Sequence, residues 1–282
     1  MLRLVTMLIF AMLLSACATN HYKSMKLTAA ASHYTTEARV YDAGKLHKKV
    51  GIVFVHGKRG DPGSYHNDTF IADMKVRGYQ VIAPIMPWSE LRGYTGSRTD
   101  GLQIINAAVK ALPTRRVVVI GHSMGAMAVM QYGAGRLPAK VAGLVVVAAG
   151  HDPGNADKLR IATEAGADRA CELVKQGKGK QRGNYRDINA GSTYDISATA
   201  DYYCSYYSAY RYPDSMRVPR SIKVPVFMIS GKDDRLTFVY LHKEMFATLP
   251  HNLKNKYQVL SGGHLDVLYR HTAAISKWIE SL

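Results

Sequence analysis

The run Val141-Ala142-Gly143-Leu144-Val145-Val146-Val147 has no polar position, so a strand built from it shows apolar side chains to both faces of a sheet and must be covered on both. It is one of a series. From Lys49 onward, short Val/Ile-rich runs alternate with amphipathic segments. Strands are expected at Val50–His56, Tyr79–Ile85, Arg116–Ile120, Val141–Ala148, Val224–Ser230 and Tyr257–Leu260, with an edge strand near Ala38–Tyr41. Helices are expected at Tyr65–Arg77, Arg98–Leu112, Met124–Gly135, Phe238–Leu249 and Leu265–Leu282. Strand and helix in repeated alternation specify an α/β fold: a mostly parallel central sheet with helices on both faces. A chain of 282 residues, 47% of them hydrophobic, is long enough to enclose this as one domain, expected over residues 39–282.

The alternation breaks once. Residues 151–223 hold no strong buried strand, and a structureless loop of that length inside a compact domain is improbable, so an inserted, largely helical cap is expected there. Tyr202, Tyr206 and Tyr210 recur every four residues, as do Tyr203 and Tyr207, which places tyrosines along one helix face. Packing beneath the cap is the plain reading, and an aromatic wall of a substrate pocket the sharper one. The segment also carries Lys175, Lys178, Lys180, Arg182 and Arg186 among glycines with no acid between them. Such a run reads as a mobile solvated loop or as a contact for lipid phosphates.

The first seventeen residues belong to no domain. Arg3 precedes the apolar stretch Leu4–Leu14, which is too short to span a bilayer comfortably, and Ser15-Ala16-Cys17 follows with small residues at a cleavage point. Leu14-Ser15-Ala16-Cys17 resembles the lipobox of bacterial lipoproteins. The resemblance implies a signal peptide over residues 1–17, a lipidated Cys17 as mature N-terminus, and attachment to a membrane. Ala18 in the next position implies sorting to the outer membrane of a Gram-negative cell, facing the periplasm. Residues 18–38, polar with no clear period, then read as a tether with a flexible reach of roughly 25 Å.

Export sets the context for the remaining cysteines, Cys171 and Cys204. In an oxidising compartment a disulfide is the economical pairing, with two buried thiols the alternative. No Cys or His neighbour has metal-ligand spacing, so no metal is expected. The formal charge of +16 would suit nucleic acid. Export and the absence of any nucleic-acid motif argue against that partner and favour an anionic membrane or substrate. The oligomeric state has no signature in the sequence.

The chemistry concentrates at Gly121-His122-Ser123-Met124-Gly125, directly after an apolar run and before a helical segment. A serine between two glycines on such a turn projects its hydroxyl into the open, and the following amide, that of Met124, lies beside it as an oxyanion donor. A serine hydroxyl needs a base, and the base a carboxylate to orient it. Gly231-Lys232-Asp233-Asp234 follows the next-to-last expected strand and Gly262-Gly263-His264 the last. All three groups therefore fall at the carboxyl ends of parallel strands, where sites of open α/β sheets assemble.

With His56-Gly57 and Gly60, these motifs in this order resemble the α/β-hydrolase superfamily, particularly its lipases and esterases, over nearly all of residues 49–282. The resemblance implies an α/β-hydrolase fold with the cap inserted between the sixth and seventh strands of the family order. It implies Ser123 as nucleophile, His264 as general base and then acid, and the amides of Lys58 and Met124 as the oxyanion hole. The family pattern places the acid at Asp234, with Asp233 beside it and Asp152 after the earlier strand as alternatives. His56 and His122 take structural roles, and His151 has no context. Lys58 and Arg59 depart from the apolar residues often found there, so they either recruit an anionic group or point into water. The expected activity is hydrolysis of carboxylic esters through an acyl-enzyme, without cofactor. Lysophospholipids or monoacylglycerols are candidate substrates. Thioester or amide cleavage and non-catalytic binding of lipid or protein are the alternatives.

Overall fold

In a computed structural model, residues 21–44, 48–154 and 156–282 are described. Cys17 and the apolar leader lie outside them. Among the described residues ten strands form two sheets. The large one contains β1 (Lys23–Thr28), β2 (Thr35–Tyr41), β3 (Val50–Val55), β4 (Val81–Pro84), β5 (Arg116–His122), β6 (Val141–Val147), β9 (Val226–Gly231) and β10 (Lys256–Leu260). Its order is β1-β2-β4-β3-β5-β6-β9-β10. The first two strands run antiparallel and the rest are mutually parallel.

The unbroken apolar strands lie where their composition requires. Val117, Val119, Leu144 and Val146 face one apolar layer and Val118, Ile120, Val145 and Val147 the other. Helices α2 (Arg98–Ala111) and α3 (Met124–Gly133) cover the first face. Helices α1 (Tyr65–Val76), α7 (Asp266–Arg270) and α8 (Thr272–Ser281) cover the second. The expected final helix is thus two, separated at His271. Helix α6 (Val239–Ala247) packs beside β9 and β10. Helix α2 opens with a capping box, in which Ser97 and Asp100 each satisfy the other's backbone amide.

Two expectations fail. Residues 23–28 of the segment read as a tether are β1, hydrogen-bonded along its length to β2 from Lys23↔Val40 to Thr28↔Thr35. An edge strand buries little: Leu27 is the one residue of β1 fully enclosed, and Lys23 and Lys26 face solvent. Without a two-sided apolar pattern, and with lysines that blunt the free edge, the strand has no periodicity to read.

The cap is not largely helical. Between α4 (Asp157–Lys175) and α5 (Ala200–Tyr207) runs an antiparallel hairpin, β7 (Arg182–Asn189) with β8 (Ser192–Thr199). The basic run read as a mobile loop therefore ends inside a strand. Arg182 bonds the Ser197 and Gly93 carbonyls and Arg186 pairs with Asp195. Alternation of polar and small residues on a two-stranded ribbon leaves almost no apolar signature; Tyr185, Ile196 and Ala198 are its buried apolar members.

The cap docks through tyrosines. Tyr185, Tyr203 and Tyr207 form a stack, with ring centroids 4.2 and 4.4 Å apart. Tyr202 packs on Tyr94 and Tyr206 edge-on to Trp88, so the stripe joins cap to core. Tyr210 departs from the expected face: α5 ends at Tyr207, and Tyr210 is exposed. Cys171 of α4 and Cys204 of α5 form a disulfide with Cα atoms 4.8 Å apart. The cap leaves the sheet after β6 and returns before β9, the sixth and seventh strands in sheet order.

Candidate active site

Ser123 sits between β5 and α3 with φ +56° and ψ −121°, a strained backbone for a residue with a side chain. Its amide donates to the Val147 carbonyl at 3.0 Å, which fastens the turn to β6. The flanking glycines are a steric necessity. A Cβ on Gly121 would lie 2.3 Å from the Gly125 carbonyl oxygen, and one on Gly125 would lie 2.1 Å from that of Val55. Only glycine lets β5, α3 and β3 approach this closely.

Three side chains from distant parts of the chain meet at this turn. His264 Nε2 lies 2.9 Å from Ser123 Oγ, and Nδ1 donates to Asp234 Oδ2 at 2.8 Å. Asp234 is enclosed, with 1% of its side chain exposed, and His264 nearly so. The carboxylate also accepts the Leu236 amide at 2.8 Å, the Thr237 amide at 3.1 Å and the Thr237 hydroxyl at 2.7 Å. Burial works to raise its pKa. The hydrogen bond and charge of His264, with the Thr237 and Leu236 donors, outweigh burial and hold the carboxyl well below the usual carboxylate range. A permanently charged, oriented carboxylate thereby faces the imidazole.

The other acids are engaged elsewhere. Asp233 accepts the Gly262 amide at 3.2 Å and braces the glycine loop, while Asp152, buried after β6, accepts the Ser215 amide at 3.0 Å. His56 is fully enclosed: Nδ1 donates to the Gly57 carbonyl, and Nε2 accepts the Met86 amide. His122 donates from Nε2 to the His264 carbonyl at 2.8 Å and so holds the loop that carries the imidazole. Burial depresses both rings, His56 to about 4 and His122 to about 3, and keeps them neutral. His151 donates to the Leu236 carbonyl at 2.7 Å.

Gly57 passes so near the serine that a Cβ there would meet Ser123 Cβ at 3.1 Å. In this loop the Arg59 amide donates to Trp88 and the Gly60 amide to Gly57. The intervening Lys58 amide has no backbone acceptor among the described residues, nor has Met124 at the first position of its helix. The two amides belong to loops that converge on Ser123, the placement an oxyanion hole requires.

The Lys58 side chain neither points into water nor reaches for substrate. Nζ bonds Asp187 Oδ1 at 2.5 Å and the Ile188 carbonyl at 2.9 Å, and lies 5.0 Å from the centre of the Tyr207 ring. Asp187 is fully buried and also accepts from the Tyr194 hydroxyl at 2.8 Å. Burial lowers the Lys58 pKa against the opposing pull of Asp187. Arg59 pairs with Glu90 and lies over the Tyr194 ring. The cap hairpin is thus clasped to the loop that offers the Lys58 amide.

Sequence reasoning did not single out Asp187, Tyr194, Thr237 or the buried His242, which donates to the Ala149 carbonyl at 2.8 Å. Thr237 was within reach: Asp followed by Thr three residues later is the composition of a side-chain-capped turn. Asp187 was not, because nothing local marks a partner 129 positions from Lys58. Beside Gly150, a small cleft is lined by His151, Met216, Phe238, Leu241 and Met245. Among the described residues no group of His, Cys, Asp and Glu is placed to hold a metal ion.

A serine on a strained strand-to-helix turn, with a buried imidazole and carboxylate at the same sheet edge, is an arrangement for acyl transfer. The sequence matches the alpha/beta hydrolase family over residues 52–277, and the chain belongs to it. No curated protein matches the sequence. Solved structures give the same fold at low identity. The esterase domain of a Rhodothermus marinus protein is 13% identical, with 93% of this chain and 98% of that one covered and a TM-score of 0.62. Est1E from Butyrivibrio proteoclasticus is 15% identical, with 92% and 98% covered and a TM-score of 0.62. The hydrolase GrgF from Penicillium sp. sh18 is 14% identical, with 93% and 97% covered and a TM-score of 0.70.

Proposed function

We propose that this hydrolase cleaves carboxylic esters through a covalent acyl-enzyme, with Ser123, His264 and Asp234 as catalytic residues. The observation that carries the reading is the continuous pair of contacts Ser123 Oγ to His264 Nε2 and His264 Nδ1 to Asp234 Oδ2. Ser123 Oγ attacks the ester carbonyl as its proton passes to His264 Nε2, and the amides of Lys58 and Met124 receive the developing oxyanion. Collapse breaks the bond to the alcohol, which leaves with the proton from His264. Water then gives a proton to His264 and attacks the acyl carbonyl, and Ser123 recovers its hydroxyl as the acid departs.

The cleft beside Gly150 offers an apolar part of the substrate only a shallow contact: Met216, Phe238, Leu241 and Met245 line it together with His151, Asp152, Ser215, Thr237 and His242, around a cavity of about 20 Å³. Monoacylglycerols and lysophospholipids carry such a group, as do short diffusible esters. We further propose that Cys17 carries lipid and holds the mature protein on the outer membrane, facing the periplasm. The leader pattern of residues 3–17 supports this.

The test is labelling with a fluorophosphonate, followed by turnover of p-nitrophenyl esters of increasing chain length. Wild type should label and turn over, with an optimum at one chain length, and Ser123→Ala should do neither. Labelling that survives Ser123→Ala would overturn the assignment, and absence of both in wild type would favour a binding protein. Faster cleavage of matched thioesters or amides would move the substrate class. Loss in Cys17→Ser of the membrane association that resists a high-salt wash tests the anchor, since salt removes electrostatic contact but not a lipid.

A further inference from the structure

The two ends of the large sheet carry opposite electrostatic designs. At the carboxyl ends, around Ser123, Lys58, Arg59 and His264 are each set against a carboxylate, and Lys232 and Arg235 are the exposed cations beside them. At the amino ends, nearly every parallel strand begins with cations: Lys49 before β3, Arg115 and Arg116 at β5, Lys140 before β6, Lys223 before β9 and Lys256 at β10. The helices return to the same edge and add Lys110 and Arg136. Cations at helix C-termini follow from the helix dipole, and Lys140 shares that cause, since its Nζ donates to the Lys110 and Leu112 carbonyls at the end of α2; the other strand-start cations have no such cause.

Carboxylates are sparse here. Asp73 pairs with Arg77 and Glu280 with Lys48. Among the described residues Lys49, Arg115, Arg116, Arg136 and Lys223 have no carboxylate within ion-pair distance. The net charge of +16 is therefore not evenly spread.

The chain enters the fold at this same edge. β2 runs antiparallel to β4, and β1 antiparallel to β2, so β1 starts at the amino-end face. Lys23 pairs with Val40, next to the Tyr41↔Val81 pair at the start of β4, and Tyr22 packs on Tyr41. Cys17 precedes Lys23 by six positions, a span of about 20 Å at full extension. A lipid on Cys17 would keep this face, rather than any other, close to the bilayer.

We propose that the basic amino-end face of the sheet docks on an anionic phospholipid surface, with the catalytic opening turned away from the bilayer that holds the anchor. Ser123 stands seven residues along β5 from Arg116, about 23 Å above that face. Surface attraction fades within a Debye length of about 8 Å, so the cations below contribute and those of the cap do not. The lipid-contact reading of Lys175 to Arg186 is thereby replaced by the opposite pole of the molecule. Substrate then arrives from the aqueous side and not from the supporting membrane. The charge asymmetry stands without the Cys17 assignment, on which only the closeness of approach rests.

The experiment is co-sedimentation of the full chain carrying Cys17→Ser with phosphatidylcholine vesicles, with and without phosphatidylglycerol. Preference for anionic vesicles is expected. The double reversal Arg115→Glu with Arg116→Glu should cut that preference at least about twenty-five-fold, near fivefold for each cation removed. The cap reversal Lys178→Glu with Lys180→Glu should change it less than about twofold. Turnover of a soluble p-nitrophenyl ester serves as the folding control and should be unchanged in both. Equal binding by the Arg115/Arg116 variant, loss in the cap variant, or binding to heparin without preference for anionic vesicles would each overturn the proposal.

Discussion

The sheet rim and the cap both reach the surroundings of Ser123, yet different physics holds them in place. At the rim, the serine, Asp234 and His264 sit on turns that parallel strands deliver to one edge, and hydrogen bonds fix each turn: the Ser123 amide to Val147, the Leu236 and Thr237 amides to Asp234, and His122 to the His264 carbonyl. The cap is held by long-range contacts: stacked tyrosines, the Cys171–Cys204 disulfide and the buried Lys58–Asp187 pair. Changes at the rim should therefore alter chemistry with little cost to folding. Changes in the cap should alter stability first and chemistry second.

The largest effect expected is that of Ser123→Ala, a fall in kcat on the order of a hundred-thousandfold or more, with the melting temperature kept or raised as the strained turn loses a polar side chain. Asp234→Asn should lower kcat on the order of ten-thousandfold. Asp233→Asn and Asp152→Asn should cost less than about tenfold, since neither meets His264. A larger loss at Asp152 would move the acid and erase the contrast at its centre.

On the cap side, Cys171→Ser with Cys204→Ser opens a bridge between positions 33 apart and should cost roughly 4 kcal/mol in denaturant unfolding, while activity in dilute buffer persists. Asp187→Asn strands a buried ammonium and should cost about 3 kcal/mol, with a smaller fall in kcat at unchanged KM as the Lys58 amide loses its brace. The paired change Lys58→Met with Asp187→Leu should recover most of the stability and little of the kcat. Recovery of both would show that the clasp serves folding alone.

The broadest effect is with pH. His56 and His122 titrate near 4 and 3 in the folded chain, below the ordinary value of about 6.5, so the unfolded chain binds more protons between those limits. Stability is then full above pH about 6.5 and falls as the solution is acidified toward the folded values. The depressed Asp234 adds a further loss below pH about 4, where the unfolded carboxylate is protonated first. Urea midpoints across this range check the sign, and His122→Asn should flatten the upper part of the slope.

Much of the rim was legible because each of its parts is local. Gly121-His122-Ser123-Met124-Gly125 carries its own turn chemistry, Asp234 and His264 follow recognisable strands, and the expected limits of the parallel strands differ from those observed by at most two residues. The cap and the edge were not legible for a common reason. β1 and β7 lie on exposed margins where one face or neither is buried, so the alternation that reveals a strand is missing. The stripe of Tyr202, Tyr203, Tyr206 and Tyr207 was visible, but where α5 stops was not, and Tyr210 left the face.

By itself the sequence determined the class of fold, the residues able to carry the chemistry and the covalent bridge available to the cap. It could do so because steric limits on a turn and the periodicity of burial act between near neighbours. Only the tertiary structure set Asp234, and neither Asp233 nor Asp152, against His264, gave Lys58 to Asp187, and gathered the cations of separate strands on one face. Those outcomes depend on which distant groups the packed sheet brings within a few ångströms, and no local pattern encodes that distance.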